Sequence, residues 1–276
     1  MNKTLQRILL TSLATVIIGL MIIPFFIMIS TSFKSFTEVT VWPPDWIPDV
    51  LRWENYKQVW SGSGNFKRAF TNSLIVSTST MLICTVLGSL GAYAVSRFEF
   101  KGKKSFLFVI IVTQMFSSVT LVGPMYKIVK NLGLLNTHAA LIVPNAAFAL
   151  PMTVWLLYGY LDGISKNLEE AAMIDGCTRL QAVRKVLLPL IAPGIITSGL
   201  FAFIVSWNDL IFARSFVTKT EFMTLSVSLT NYRSLFETSW HTMMAASVIS
   251  VVPVFILFLV IQKHLVKGLA SGGVKE

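Results

Sequence analysis

Six apolar runs recur along this chain of 276 residues, and none of them contains Asp, Glu, Lys or Arg. They cover residues 8–30, 69–96, 105–126, 138–161, 186–208 and 242–262. A helix that crosses a bilayer needs about 20 mostly apolar residues, and each run reaches that length. Each run would also be apolar on every side of its helix, as lipid-facing segments are. The pattern predicts an all-α integral membrane protein with about six transmembrane helices.

The composition supports a membrane location. Hydrophobic residues make up 54% of the chain and charged residues only 13%, too few to cover the surface of a soluble domain. The net charge of +10 comes from short basic clusters between apolar runs, so nucleic-acid binding is not expected. Cys84 lies in an apolar run, Cys177 lies in a polar loop, and the three histidines are scattered. Neither a disulfide nor a metal site is therefore expected.

Basic residues also predict the orientation of the chain. Arg97, Lys101, Lys103 and Lys104 crowd one short loop, and short cytoplasmic loops carry an excess of Lys and Arg. With six spans, that loop lies on the same side as both termini. We therefore expect cytoplasmic termini and a multi-pass protein of the cell (inner or cytoplasmic) membrane.

Three regions follow from this arrangement. Residues 1–68 hold the first span and an extracytoplasmic loop whose residues 41–48 are rich in Pro and Trp, which favours extended backbone near the membrane interface. Residues 69–262 hold the other spans as a core, which includes a polar loop at 165–189. Residues 263–276 form a cytoplasmic tail.

The polar loop predicts a short helix followed by a break. Asn167 can cap this helix, and Glu170, three residues later, completes a capping box. Glu169 and Glu170 fall in the first turn, where the helix dipole favours acidic groups. Gly176 suits the left-handed conformation that ends many helices.

A second short helix is expected after the break. Thr178 can cap it, with Gln181 as its capping-box partner. Its apolar stripe should lie along the inner membrane surface and lead into the fifth span at Pro189 and Pro193. That stripe consists of Leu180, Val183, Leu187 and Leu190.

The first of these helices has two interpretations from its residues alone. A small, capped, exposed helix fits a groove on another protein, and Ala171 and Ala172 allow close approach. An ordinary capped loop helix explains the same residues equally well.

The spacing of this loop resembles a known signature. Glu170-Ala171-Ala172, then Gly176, then Val-Leu-Leu-Pro at 186–189 is similar to the EAA loop of ABC importer permeases, with Val186 in the place of Ile. Stretches at 69–74, 206–209, 224–227 and 262–275 resemble the carbohydrate-uptake branch, in particular MalG-like permeases. The resemblance covers most of the chain from Ala69 onward.

This resemblance implies a type I ABC importer permease core at 69–262 whose EAA loop is a coupling helix that docks on an ATP-binding subunit. The implied coupling residues are Glu169, Glu170, Ala171, Ala172, Asp175 and Gly176, with the three acids giving the docking surface its charge. The implied partners are a homologous MalF-like permease, two copies of an ABC ATPase, an extracytoplasmic solute-binding protein, a sugar substrate and membrane lipid.

The chain itself is expected to be a transport subunit and not an enzyme. It has no Gly-x-x-x-x-Gly-Lys-Ser/Thr phosphate loop, so ATP and Mg²⁺ would be bound by the partner and no cofactor by this chain. Trp207, Asn208 and Asp209 close the fifth run and are candidates for the translocation path or a binding-protein contact; structural capping by Asp209 is the alternative.

Other functions remain open at this point. Oligosaccharides, disaccharides, glycerol phosphate and other polyols all fit the resembling group. An ATP-independent secondary transporter is a remote alternative, because such proteins normally carry ionisable groups inside their spans and these runs have none. An intramembrane enzyme would need a paired acid or a nucleophile–base set, which the sequence does not offer.

Overall fold

The computed structural model of the chain describes residues 3–62, 64–232 and 238–272. Within these ranges the regular elements are helical, which confirms the all-α prediction. The last four residues of the predicted tail, 273–276, lie outside the described part. The remainder of the tail continues helix α13 through residue 272, so no break marks its proposed start at 263.

The helices in chain order are α1 Lys3–Ser32, α2 Phe36–Thr40, α3 Glu54–Ser61, α4 Phe66–Arg97, α5 Lys103–Thr113, α6 Ser118–Asn131, α7 Ala139–Asp162, α8 Asn167–Ile174, α9 Arg179–Ala182, α10 Leu188–Trp207, α11 Ile211–Phe216, α12 Leu225–Thr230 and α13 Trp240–Gly272. A π-helical turn at Val183–Leu187 joins α9 to α10, and a 3₁₀ turn at Thr220–Phe222 precedes α12.

Five of the described helical segments are long and apolar enough to cross a membrane, and a bent pair brings the number to six. The bent pair covers the run at 105–126, which the sequence predicted as the third span. Helices α5 and α6 meet at 99°, so the third run is broken. The break lies at residues 114–117, ahead of Pro124, because the Ser117 hydroxyl accepts the Val119 N–H and starts a new helix.

The chain divides into two compact units, of which the first comprises residues 1–67 and 228–252. After α2, the Pro- and Trp-rich stretch at 41–48 has irregular backbone, as predicted. Within this unit, Asn55 joins α3 to the end of α1. Its side-chain amide donates to the carbonyls of Ser32 and Lys34, both at 2.9 Å. The Tyr56 hydroxyl lies 2.6 Å from the Ser32 hydroxyl at the same place.

The second unit, residues 68–227 and 253–276, contains the packed helices α4, α7 and α10. Small residues allow these helices to approach closely. A Cβ on Gly194 would lie 2.6 Å from the Tyr160 ring, and one on Gly88 would lie 2.6 Å from the Thr153 methyl group. Such contacts are typical of membrane helices, where packing of small residues replaces the hydrophobic driving force between helices.

Asn72, near the start of α4, connects three parts of the second unit. Its amide nitrogen donates to the carbonyls of Glu221 and Met223, each at 2.9 Å. Its amide oxygen lies 2.9 Å from His138 Nε2 and therefore accepts the imidazole proton. Burial and nearby Arg68 lower the pKa of His138, which favours its neutral form. Both N–H donors and the amide oxygen of this buried side chain thus have partners.

Replacing Asn72 with Asp should destabilise the protein. Asp loses both N–H donors and places a carboxylate against the Glu221 and Met223 carbonyls, which leaves buried acceptors unsatisfied. We expect a loss of about 1–3 kcal/mol, measured as a lower thermal unfolding midpoint of the detergent-purified protein. Asn131→Asp makes the same chemical change at an exposed position and is the control. Equal midpoints for the two variants would contradict this role of Asn72.

Candidate functional site

The polar loop at 165–189 begins with the exposed helix α8. The prediction that Asn167 caps this helix is wrong, because Asn167 is its first helical residue. The Ser165 hydroxyl instead accepts the Asn167 N–H at 3.3 Å. The N-cap residue is Lys166, which makes no side-chain cap hydrogen bond, and Glu170 has no capping-box partner.

The end of α8 follows the sequence prediction. Gly176 has φ +90°, a left-handed conformation that glycine adopts without strain. The Gly176 N–H donates to the Met173 carbonyl at 3.1 Å, and the Cys177 N–H donates to the Ala172 carbonyl at 3.0 Å. These two bonds form a Schellman motif, which satisfies carbonyls that a helix end leaves free.

The second helix also begins as predicted. The Thr178 hydroxyl accepts the Gln181 N–H at 3.4 Å, and the Gln181 side chain accepts the Thr178 N–H at 2.9 Å, so the capping box is present. The helix then continues through the π turn into α10 as one apolar segment, Arg179–Trp207.

The predicted apolar stripe of this second helix is interrupted by the π turn at Val183–Leu187. Leu180 is 77% exposed, whereas Leu187 is 1% exposed. A π turn adds a residue to the helical repeat and rotates the side chains beyond it. The four leucine and valine positions therefore do not share one direction.

The candidate coupling residues in and just after α8 fall into an exposed set and a buried set. Glu170, Ala171, Asp175 and Gly176 are exposed, while Glu169 and Ala172 are buried. Ile174 is 86% exposed, an apolar side chain between the acidic positions. Ile174 was not among the residues predicted from the sequence, although its position four residues after Glu170 places it on the same helical face.

Glu169 corrects an expectation, since it adds no charge to the exposed surface. Its side chain is 7% exposed and forms an ion pair with Arg97, whose side chain is 4% exposed. The Tyr93 hydroxyl donates to the second carboxylate oxygen of Glu169 at 3.2 Å. An acid with these partners is held inward, because leaving a buried charge unpaired is costly. The sequence offered no signal that distinguished Glu169 from Glu170.

Arg97 extends the contacts of Glu169 to a further helix. Its Nη1 donates to the Leu161 carbonyl, near the end of α7, at 3.2 Å and to the Ser96 hydroxyl at 3.1 Å. Tyr93 in turn accepts a hydrogen bond from Arg179 Nε at 3.2 Å. The ends of α4 and α7 and the start of α9 are therefore all joined to α8 through polar side chains.

The residues that close the fifth run have structural contacts. Trp207 is buried and stacks on Phe203 with ring centroids 5.5 Å apart. Asp209 accepts the N–H groups of Phe212 at 3.1 Å and Ala213 at 3.2 Å, and so caps α11. Asn208 is exposed. The geometry favours the capping alternative for Asp209, and a pathway role for the three residues stays a prediction.

Asp209 is also joined to α7. The Asn145 amide donates to its carboxylate at 3.2 Å. Burial raises the pKa of the Asp209 carboxyl, while the hydrogen bonds from the backbone and from Asn145 act in the opposite direction and offset part of that rise. Among the described residues, no cluster of three or more His, Cys, Asp or Glu side chains is arranged to hold a metal ion.

Comparisons with known proteins identify the family. Residues 84–271 match the family described as "Binding-protein-dependent transport system inner membrane component". The inner membrane ABC transporter permease protein YcjP of Escherichia coli K12 is 36% identical over 99% of this chain and 98% of its own length. The trehalose/maltose transport system permease protein MalG of Thermococcus litoralis is 36% identical over 99% of each chain.

Solved structures agree with this result. A chain from a bacterial ABC transporter involved in the import of the acidic polysaccharide alginate has a TM-score of 0.79 and 25% identity. The match covers 94% of this chain and 96% of that one. The helices and these similarities define a multi-pass membrane permease. The chain belongs to the family of inner membrane components of binding-protein-dependent transport systems, which confirms the resemblance drawn from residues 170–189.

Removing the Asp209 carboxylate should destabilise the region around α11. Asp209→Ala leaves the Phe212 and Ala213 N–H groups without their side-chain acceptor, and loss of a helix cap costs about 1–2 kcal/mol. The measurement is the thermal unfolding midpoint in detergent, with Asn208→Ala at the exposed neighbour as the control. A midpoint for Asp209→Ala that equals the control would contradict the capping role.

Proposed function

We propose that this chain is the membrane-spanning permease subunit of an ATP-driven sugar importer and forms half of its translocation pathway. It couples to a separate ATPase through α8 and hydrolyses no ATP itself. The observation that carries the proposal is the exposed helix α8 with Glu170 and Ala171, followed by Asp175 and by the helix-ending Gly176, in a chain of this permease family.

The exposed face of α8 has the chemistry of a docking surface. Glu170 and Asp175 supply negative charge, and Ile174 supplies an apolar side chain that is 86% exposed. The side chain of Ala171 is a single methyl group, so the helix backbone can approach the wall of a groove closely. The Schellman motif at Gly176 fixes where the helix ends and so limits the length of the inserted element.

The proposed partners follow from the same family. They are a homologous MalF-like permease, two copies of an ABC ATPase that bind ATP and Mg²⁺, and an extracytoplasmic solute-binding protein. The family description names binding-protein dependence. A second solved structure with the same fold, at TM-score 0.66 and 17% identity, is an alginate transporter in complex with an alginate pentasaccharide-bound periplasmic protein.

The mechanism we propose is alternating access driven through α8. ATP binding closes the ATPase pair, and the docked helix moves with it and reorients the spans. ATP changes the equilibrium between inward and outward states only through its difference in affinity for the two. The contacts of α8 with the rest of the chain therefore determine how strongly closure of the ATPase pair is coupled to reorientation of the spans.

The names of similar permeases support a di- or oligosaccharide as the substrate. They include a trehalose permease of Mycobacterium tuberculosis, 36% identical over 95% of this chain, and the melibiose/raffinose/stachyose permease of Bacillus subtilis, 31% identical over 99%. A sulfoquinovosyl glycerol permease of Agrobacterium fabrum, 38% identical over 89%, supports a glycerol-linked or polyol substrate as the second candidate. Uptake of labelled trehalose, raffinose and glycerol phosphate by cells that express the complete importer separates these classes.

Reversing the charge of Glu170 should release the ATPase. Glu170→Lys places a positive charge on the exposed face of α8 without disturbing a buried contact, so the protein should still insert in the membrane. We expect the ATPase subunit to be lost from affinity-purified permease complexes. Glu99→Lys reverses an exposed acid in the loop between α4 and α5 and is the matched control. Equal ATPase recovery with the two variants would refute docking through this face.

The proposed orientation places residues 165–185 in the cytoplasm. Cys177, at the end of α8, is partly exposed, whereas Cys84 is buried and should not react. A membrane-impermeant maleimide should label Cys177 only after the membrane of intact cells, or of spheroplasts, is permeabilised, and Cys177→Ser should abolish the label. Labelling of Cys177 from the outside of sealed cells would overturn the orientation and the docking role with it.

A further inference from the structure

Helix α8 has few side chains that hold it to the rest of the protein. Of its eight residues only Glu169 and Ala172 are buried, and Ala172 contributes a single methyl group. Glu169 is therefore the main side chain through which α8 contacts the transmembrane helices. Its partner is a charged group, although replacing a buried ion pair by hydrophobic residues of similar volume is often neutral or stabilising. Stability alone thus gives no reason for an ion pair here.

The contacts of the Arg97–Glu169 pair give a different reason. Arg97 is the last residue of α4, and it also donates to the Leu161 carbonyl near the end of α7. Its fork-shaped guanidinium donates in several fixed directions at once, which a hydrophobic side chain cannot do. Along the chain, residues 163–166 already join α8 to α7, and α8 leads on into α9 and α10, so the pair adds a direct connection from α8 to α4.

Helices α4 and α7 are themselves joined at both ends. Asn72 contacts His138 where these helices begin, and Arg97 contacts Leu161 where they end, so the two helices run parallel. Gly88 packs against Thr153 between these points. A displacement applied at the Arg97 end is therefore applied to a pair of helices that are held together along their length.

Aromatic contacts hold the same end of α4 to α9. Tyr93 accepts from Arg179 and donates to Glu169, and the Arg179 guanidinium lies 4.6 Å from the Phe98 ring centroid. Tyr93 and Phe98 are in edge-to-face contact at 6.1 Å. Glu169 of α8 and Arg179 of α9 therefore both contact aromatic side chains at the end of α4.

We propose that Arg97 and Glu169 are positioning residues that fix α8 to the ends of α4 and α7, so that movement of the docked helix is transmitted to both. This inference rests on the proposed docking of α8 and assigns separate tasks to adjacent acids. Glu170 faces the ATPase, while Glu169 faces the permease. Loss of Glu169 should leave the ATPase bound but disconnect its movement from α4.

The test measures the distance between α4 and α8 by pulsed electron paramagnetic resonance. Spin labels replace Ala94 and Leu168, which are exposed on these two helices, in a Cys84→Ala, Cys177→Ser background. The permease is purified with its ATPase and partner permease and measured before and after the ATPase is trapped with ADP and vanadate. The parent should give one narrow distance that trapping leaves unchanged, because α4 moves together with α8.

Two variants test the pair. Glu169→Gln should lose the single narrow distance and show a change on trapping, with the ATPase still recovered. The double variant Arg97→Met with Glu169→Leu leaves no unpaired buried charge, so it keeps the experiment valid if the single variant fails to fold. The double variant should also lose the single narrow distance between the spin labels.

Glu170→Gln, at the exposed neighbouring residue, is the control. Measured in protein without the ATPase, this variant should keep the single narrow distance.

The outcomes separate this inference from the function on which it rests. If the ATPase is recovered but the double variant keeps the narrow, unchanged distance of the parent, packing alone holds α8 and the inference is overturned, while docking stands. If the parent chain recovers no ATPase, the docking role of α8 fails and the inference falls with it.

Discussion

The lipid interior offers no hydrogen-bond partners, and the rest of this structure follows from that constraint. Backbone groups inside the membrane must pair with one another, and the candidate spans in the described part of the chain are helices. Side chains with charge lie outside the apolar runs, near helix ends. Where polar or charged side chains are buried near helix ends, as at Asn72, Arg97 and Glu169, each has several partners. Specific polar chemistry is therefore concentrated at the ends of the helices.

Helix α4 carries one such group near each end. Asn72 and Arg97 are 25 residues apart, which is about 38 Å along a helix. Asn72 is joined to the segment after α11 and to His138, and Arg97 is joined to α8 and Leu161. Under the proposed coupling to an ATPase on one side of the membrane, a long helix fixed to its neighbours at both ends is suited to carry a displacement across the bilayer.

Local patterns predicted local structure well. Gly176 ends α8 in the left-handed conformation, and Thr178 with Gln181 forms the expected capping box, because each depends only on neighbours within a few residues. The sequence predictions failed where the same residues could start or continue a helix in more than one way. Asn167 is a good cap residue, yet α8 begins at Asn167 itself, and the Ser165 hydroxyl accepts its N–H. The 105–126 run is long enough for one span, yet the Ser117 cap divides it into α5 and α6.

The sequence by itself determined the membrane class, the positions of most spans and the permease family, because length, apolar character and the spacing of residues 170–189 are properties of the linear chain. It could not distinguish Glu169 from Glu170, which are adjacent acids in the first turn of one helix. Only the tertiary structure decided that Glu169 is buried against Arg97 and Glu170 is exposed. The physical reason is that burial depends on which neighbour reaches each side chain, and Arg97 lies 72 residues away in the chain.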